Sequence, residues 1–284
     1  MELRHRAQRP GRLSSFLKGE LRMSTGLINK LKWGDAIRVN DVTQHTDFAV
    51  EIGDLITVAL AEPAPEYPAQ QGELSILYED DHILAVDKPA GMLIHPSHSQ
   101  FDGTLANFVV GYYEKTGQKS AFHPVTRLDR DTFGVVLLGK NAHIHTLLQM
   151  AQVEKLYHAL VFGGPEADNG ILDAPIARRE PPSLLRCISP EGKPSVTEFQ
   201  VLERYEKTAL LALKPITGRT HQLRLHCSHW GYPILGDPQY GSQESQKLAA
   251  ELGYTHQRLC AKSVTFQHPM TGENLCIRSK MTAK

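Results

Sequence analysis

The sequence predicts an α+β protein: a mixed, mostly antiparallel sheet with flanking helices, preceded by a small N-terminal α/β domain. Three observations carry this. Apolar or alternating runs at 83–86, 135–138, 156–162, 197–202 and 210–213 have strand length, and the run at 135–138 carries β-branched residues. Between several of them lie segments with apolar residues at helical spacing, opened by a capping residue or closed by glycine. The string EPAPEYPAQQG has the composition of a stiff linker. The chain is therefore divided into a small domain at 1–61, a linker at 62–73 and a large domain at 74–284.

In the small domain, Phe16, Leu17, Leu21, Leu27, Ile28 and Leu31 suit two short amphipathic helices, the second capped by Ser24. Short strands follow at 36–39 and within 48–58. Arg4, Arg6, Arg9, Arg12, Lys18, Arg22, Lys30 and Lys32 stand against Glu2 and Glu20, so this end is basic, and the first ten residues read as a basic tail. The net charge of the whole chain is +0, so any attraction to nucleic acid has to be local. With 41% hydrophobic and 22% charged residues the composition is that of a globular protein. Its four cysteines form no CxxC pair and no run of eighteen apolar residues occurs. A soluble, cytoplasmic, monomeric protein with reduced thiols is the expectation.

The large domain opens with two strands and a Lys-Pro-Ala-Gly turn at Lys88, then a helix capped by Thr104 and stopped at Gly117. Next comes HPVTRLDRDTFGVVLLGKN, in which Arg127, Asp129, Arg130 and Asp131 immediately precede the apolar run Val135 to Leu138. Charges at the mouth of a buried strand face a desolvation cost unless they pair or bind a ligand. By residue type alone this is either a surface turn with internal ion pairs or a site. A helix capped by Asn141 follows, leaving His143 and His145 on its surface, and then the strand EKLYHALVFG. Tyr157 there is either a core tyrosine or a substrate contact. Arg178, Arg179 and Arg186 sit in a connecting region suited to phosphate contact or to solvation. KPITGRTHQLRLHCSHWGYPILGDPQYG then places Arg219 at a helix entrance capped by Thr220. His221, His226, Cys227 and His229 have no metal-ligand spacing.

RLDRDTFG resembles the HRLDxxTSG signature of the RluA-type pseudouridine synthases, with Thr126 where that family usually has His and Phe133 where it usually has Ser. The strand matches the family's K-x-Y-x-A-x-V at Lys155, Tyr157, Ala159 and Val161; TGRTHQLRLH and GDPQYG match two further blocks, and the C-terminal block matches with Cys260 in place of His. GDAIRVNDV and VEIGDLITV are similar to the small RNA-binding domain named after ribosomal protein S-four.

The resemblance implies a pseudouridine synthase fold and isomerisation of uridine within a ribosomal or transfer RNA. Asp129 would act at the ribose, Arg219 would pair with it, and Tyr157 would stack on the flipped uracil or take its carbon 5 proton. Arg127 would replace the extruded base, with Lys88, Arg130 and Lys155 as further RNA contacts. No metal or cofactor is implied, and neither GxxxxGK[ST] nor GxGxxG is present. Two rivals remain at this level: an inactive RNA-binding protein of the same fold, and a carboxylate glycosidase, which usually needs two acids.

Overall fold

The computed structural model describes residues 2–60, 66–97, 100–180, 183 and 185–284. Two compact units are present: Met1–Pro65 with Gly117–Ala121, and Glu66–Thr116 with Phe122–Lys284.

The first unit holds β1 (Glu2–Arg6), β2 (Gly11–Arg12), α1 (Leu13–Gly19), α2 (Thr25–Leu31), β3 (Ile37–Val39), β4 (Val42–Thr43), β5 (Ala49–Val50) and β6 (Leu55–Ala59). A four-stranded sheet runs β1-β6-β3-β4, and β2 pairs with β5. Ser24 caps α2 by accepting the Leu27 amide at 3.1 Å. The residues expected as a tail are a strand instead: Glu2 to Arg6 pairs antiparallel with Leu55 to Ala59 and buries Leu3. The reason is alternation, since Leu3 and Ala7 enter the core with Phe16, Ile37 and Ile56 while Arg4 and Arg6 face outward.

The second unit holds β7 (Ile76–Glu79), β8 (Ile83–Lys88), α3 (Leu105–Lys115), β9 (His123–Pro124), β10 (Phe133–Gly139), α4 (Ala142–Met150), β11 (Glu154–Phe162), β12 (Asn169–Asp173), β13 (Ile176–Arg178), β14 (Arg186–Ile188), β15 (Val196–Arg204), β16 (Thr208–Pro215), α5 (Gln222–His229), α6 (Gln243–Glu251), β17 (Leu259–Gln267) and β18 (Asn274–Arg278). Its large sheet runs β12-β15-β16-β11-β17-β10-β8-β7, with β18 against β17 and β9 against β10. Every pair is antiparallel except β10 with β17. The class is α+β, as expected. α3 packs Val109 and Val110 against Leu84, Val136 and Leu138, while α5 packs Leu223 and Cys227 against Val161, Leu211 and Leu213.

The segment expected as a linker is only partly free to be one. Residues 61–65 lie outside the described residues. Residues 66–73 belong to the second unit and dock on α3: Pro68 O accepts Asn107 Nδ2 at 3.0 Å, Gln70 N donates to Asn107 O at 3.0 Å, and Gln70 Oε1 accepts Gly103 N at 2.7 Å. Proline composition suggests an extended chain but not whether its carbonyls find partners. Gly111 permits the approach, since a Cβ there would lie 2.1 Å from Gln70 O. His143 is also buried rather than on the surface of α4.

Candidate active site

Residues 125 to 132 join β9 to β10 and carry Asp129. Thr126 is buried and its Oγ1 accepts the Leu137 amide at 2.9 Å. Thr132 N donates to Asp129 O at 3.2 Å, and Thr132 Oγ1 accepts Gln257 Nε2 at 2.6 Å. The turn is thus fastened at both ends by threonine hydroxyls while the Asp129 side chain keeps 30% of its surface exposed.

Lys88, expected to contact RNA, is fully buried at 0% exposure. Its Nζ donates to Pro89 O, Met92 O and Arg130 O, each at 2.9 Å. Three carbonyls for three N–H protons explain how a lysine is accommodated inside. Burial pushes its ammonium down to about 7, with the charges of Asp131 and Asp129 pulling the other way. Its place is structural: it ties the Lys-Pro-Ala-Gly turn to the Asp129 loop and offers nothing to solvent.

The arginine paired with Asp129 is Arg224, not Arg219. Arg224 Nη1 donates to Asp129 Oδ2 at 3.0 Å; Nε and Nη2 donate to Asp237 Oδ2 and Oδ1, each at 2.7 Å; and Nη2 also donates to Gln239 Oε1 at 2.8 Å. Asp237 Oδ1 accepts the amides of Gln239 and Tyr240 as well, at 2.9 and 3.1 Å. Burial acts to lower the guanidinium pKa, but the hydrogen bonds and charge of Asp237, with the charge of Asp129, hold it raised. One cation therefore bridges a buried carboxylate that fixes it and an accessible carboxylate that it orients. Arg219 lies outside this network, exposed, with Nε donating to Pro194 O at 3.2 Å. The difference arises where α5 begins. His221, not Thr220, is its N-cap, in the left-handed region at φ 58°, so Arg219 precedes the helix and Arg224 falls on the inward side of its first turn.

His221 Nε2 lies 3.9 Å from Asp129 Oδ2, and Nδ1 lies 2.9 Å from the Tyr240 hydroxyl. That hydroxyl accepts the Arg186 amide at 3.0 Å. With its single proton donated to Nδ1, the neutral imidazole carries its own proton on Nε2, the nitrogen nearer to Asp129. Burial pushes the imidazole below its ordinary value despite the Asp129 charge, favouring the neutral ring.

Tyr157 on β11 is half-buried and packs against two apolar clusters on its face of the sheet, one with Ala261 and one with Ala159 and Val161. Burial, then the charge of Asp129, pushes its phenol well above the ordinary value. Arg127 is exposed and makes no ion pair among the described residues. Lys155 is half-buried, and burial followed by the Arg127 charge lowers its pKa. Arg130 is exposed, but its guanidinium is already engaged by Asp131, with Nε and Nη2 each 3.0 Å from a carboxylate oxygen. Burial pushes the Asp131 carboxyl up, yet that pairing outweighs it and holds the acid below its ordinary value. His226 is hydrogen-bonded by both ring nitrogens, to Thr197 Oγ1 and Ala174 O, each at 3.0 Å.

Residues 82–229, which contain Asp129, Tyr157 and Arg224, match the family profile described as RNA pseudouridylate synthase. The chain belongs to that family. It is thereby an isomerase of the RNA pseudouridine synthase class. Over 272 residues it is 35% identical to an uncharacterised RNA pseudouridine synthase, YjbO, of Bacillus subtilis, covering 90% of this chain and 91% of the relative. It is 38% identical over 242 residues to ribosomal large subunit pseudouridine synthase D of Pseudomonas aeruginosa, covering 81% and 75%. Among solved structures, human RNA pseudouridylate synthase domain containing 1 superposes with a TM-score of 0.61 at 26% identity, covering 75% of this chain and 86% of that one. No helix among the described residues is long and apolar enough to cross a membrane.

Within the synthase family pattern, two of this chain's unusual residues are a matched pair. Phe133 and Cys260 are register partners where β10 and β17 run parallel, and both are buried in one cluster with Leu160 and Leu235. Sequence reasoning missed Asp237, Tyr240 and the inward role of Arg224. Their signal was present, since all three lie in the TGRTHQLRLH and GDPQYG blocks.

Proposed function

We propose that this synthase isomerises specific uridines in a structured ribosomal or transfer RNA, with Asp129 as the group that attacks the ribose. The observation that supports this is the pairing of an accessible carboxylate with a guanidinium anchored on a second, buried carboxylate. Breaking the bond from ribose to uracil needs an ionised acid at the anomeric carbon, fixed in direction. Arg224 supplies the direction and the His221 N–H faces the same oxygen. The target nucleotide leaves its stack at a cost of a few kcal/mol. Arg127, exposed and without an ion pair among the described residues, is suited to fill its place; Lys155 lies within its electrostatic reach.

The name of the Bacillus subtilis relative includes RNA and that of the Pseudomonas aeruginosa one the ribosomal large subunit, which supports this reading. The first unit, with Arg4 and Arg6 on the outer face of its sheet, is assigned as an S-four-like RNA grip. Treating RNA from cells that lack this protein with the purified enzyme, then digesting to nucleosides, should reveal pseudouridine. Unchanged uridine in both ribosomal and transfer RNA would leave the chain as an RNA-binding member of its fold.

Tyr157 is assigned as a stacking platform rather than the proton acceptor, because a phenol with a raised pKa keeps its proton through neutral and mildly alkaline pH. The single-turnover rate should accordingly show no rise attributable to Tyr157 between about pH 7 and 10. An alkaline rise that disappears in Tyr157→Phe would identify the phenolate as the base.

A further inference from the structure

An open cavity of about 500 Å³ lies beside the entrance to α5, lined by Arg178, Arg186, Lys193 and Arg219 with Glu191 as the acid. Arg178 and Arg186 are direct register partners in the two-stranded β13–β14 ribbon. Directly opposed residues of an antiparallel pair share a face, and like charges there repel. No ion pair among the described residues relieves this. Among the described residues, none of the four cations forms an ion pair, and Arg186 Nη1 is buried without a hydrogen-bond partner. Such an arrangement is unfavourable in the empty protein and favourable around an anion that both guanidiniums can grip.

We infer that this cavity is a phosphodiester subsite, taking a backbone phosphate of the substrate RNA next to the nucleotide held at Asp129. Its identity as an RNA phosphate, rather than another phosphate ester, rests on the synthase reading above. Its position beside the reacting nucleotide rests on covalent and hydrogen-bonded continuity. Arg219 is two residues from His221, and the Arg186 amide donates to the Tyr240 hydroxyl that holds the same imidazole toward Asp129. A phosphate gripped by the ribbon therefore also fixes the segment that sets the His221 tautomer. The volume is sufficient for a phosphate with its adjoining sugar.

The test uses the full-length protein and a fluorescein-labelled RNA stem-loop with uridines in its loop, titrated from about 50 to 200 mM potassium chloride. Arg178→Gln and Arg186→Gln together should weaken binding about tenfold or more at the lower salt and reduce the slope of log Kd against log salt by roughly one. Lys207→Gln, on an exposed turn elsewhere, should change neither. In the absence of RNA the melting temperature of the double variant should equal or exceed that of the wild type, because repulsion is removed.

Wild-type affinity and slope in the double variant would overturn the assignment. So would a fall in melting temperature that accompanies the loss of binding, which is the mark of a structural role. Binding is read without turnover, so a protein that binds through this pair yet forms no pseudouridine would defeat the reading of the reaction and not that of the subsite.

Discussion

Arg224→Met should inactivate the enzyme and destabilise it by about 3–5 kcal/mol, because removal of the guanidinium strands a buried carboxylate. Asp237 is 1% exposed, and after the substitution its side chain keeps, among the described residues, only the Gln239 and Tyr240 amides as donors. In a chain of this size the loss corresponds to a fall in melting temperature of roughly 2–4 °C per kcal/mol. The companion variant separates the two functions of the residue. Arg224→Met with Asp237→Leu should recover much of the stability, since a buried ion pair replaced by apolar groups is often neutral. It should remain inactive, because Asp129 still lacks the Nη1 donor at 3.0 Å. Arg219→Met, at an exposed position, should cost under about 1 kcal/mol of stability. Recovery of turnover in the double variant, or a large stability loss at Arg219, would contradict the assignment of the bridging role to Arg224.

Gly134→Ala should have a comparable effect through the backbone. Gly134 has φ 112°, where L side chains are strained, and a Cβ there would lie 2.3 Å from Ala261 O and 2.8 Å from Ala261 N. The obstacle is main chain of the neighbouring parallel strand, which no rotamer can relieve. The combined strain and overlap should cost about 3–5 kcal/mol or prevent folding. A denaturant midpoint and slope for Gly134→Ala would measure this, and a midpoint within error of the wild type would refute it. The same geometry gives a physical reason for the glycine that closes RLDRDTFG: β17 must approach closely for β10 to hold the Asp129 loop in place.

The α+β class was readable because it rests on local signals. Alternation at 156–162 and the apolar run at 135–138 announce strands, whereas the four charges before that run read by residue type alone as a surface turn or a site, and the resemblance singles out Asp129 among them. What could not be read depends on three-dimensional partners. TGRTHQLR offers two arginines, and choosing between them requires the helix phase, which is set by His221 in a left-handed conformation. Hydrophobic periodicity gives no help, since Gln222 to Cys227 are all buried and the arginine among them is tolerated only because Asp237 and Asp129 meet it there.

The burial of Lys88 was not readable for a related reason. Lysine is ordinarily a surface residue, and the Arg130 carbonyl that helps to bury it comes from 42 positions away. The prolines at 62–73 signal stiffness, but the docking of 66–73 depends on Asn107 and Gly111 of α3. Thr126, by contrast, departs from the usual family residue while serving the same loop, through a hydroxyl that satisfies the Leu137 amide.

The proposed role of Asp129 in the first chemical step is measured most directly by single-turnover tritium release from RNA labelled at carbon 5 of uridine. Wild-type protein and Asp129→Asn would be compared at saturating enzyme. The substitution keeps the shape of the side chain and removes its charge. The wild type should release tritium, and Asp129→Asn should lose on the order of 10⁴-fold or more of that rate while its RNA affinity stays within a few-fold of the wild type. Release by Asp129→Asn at a rate near that of the wild type would contradict that role and move the reacting group elsewhere.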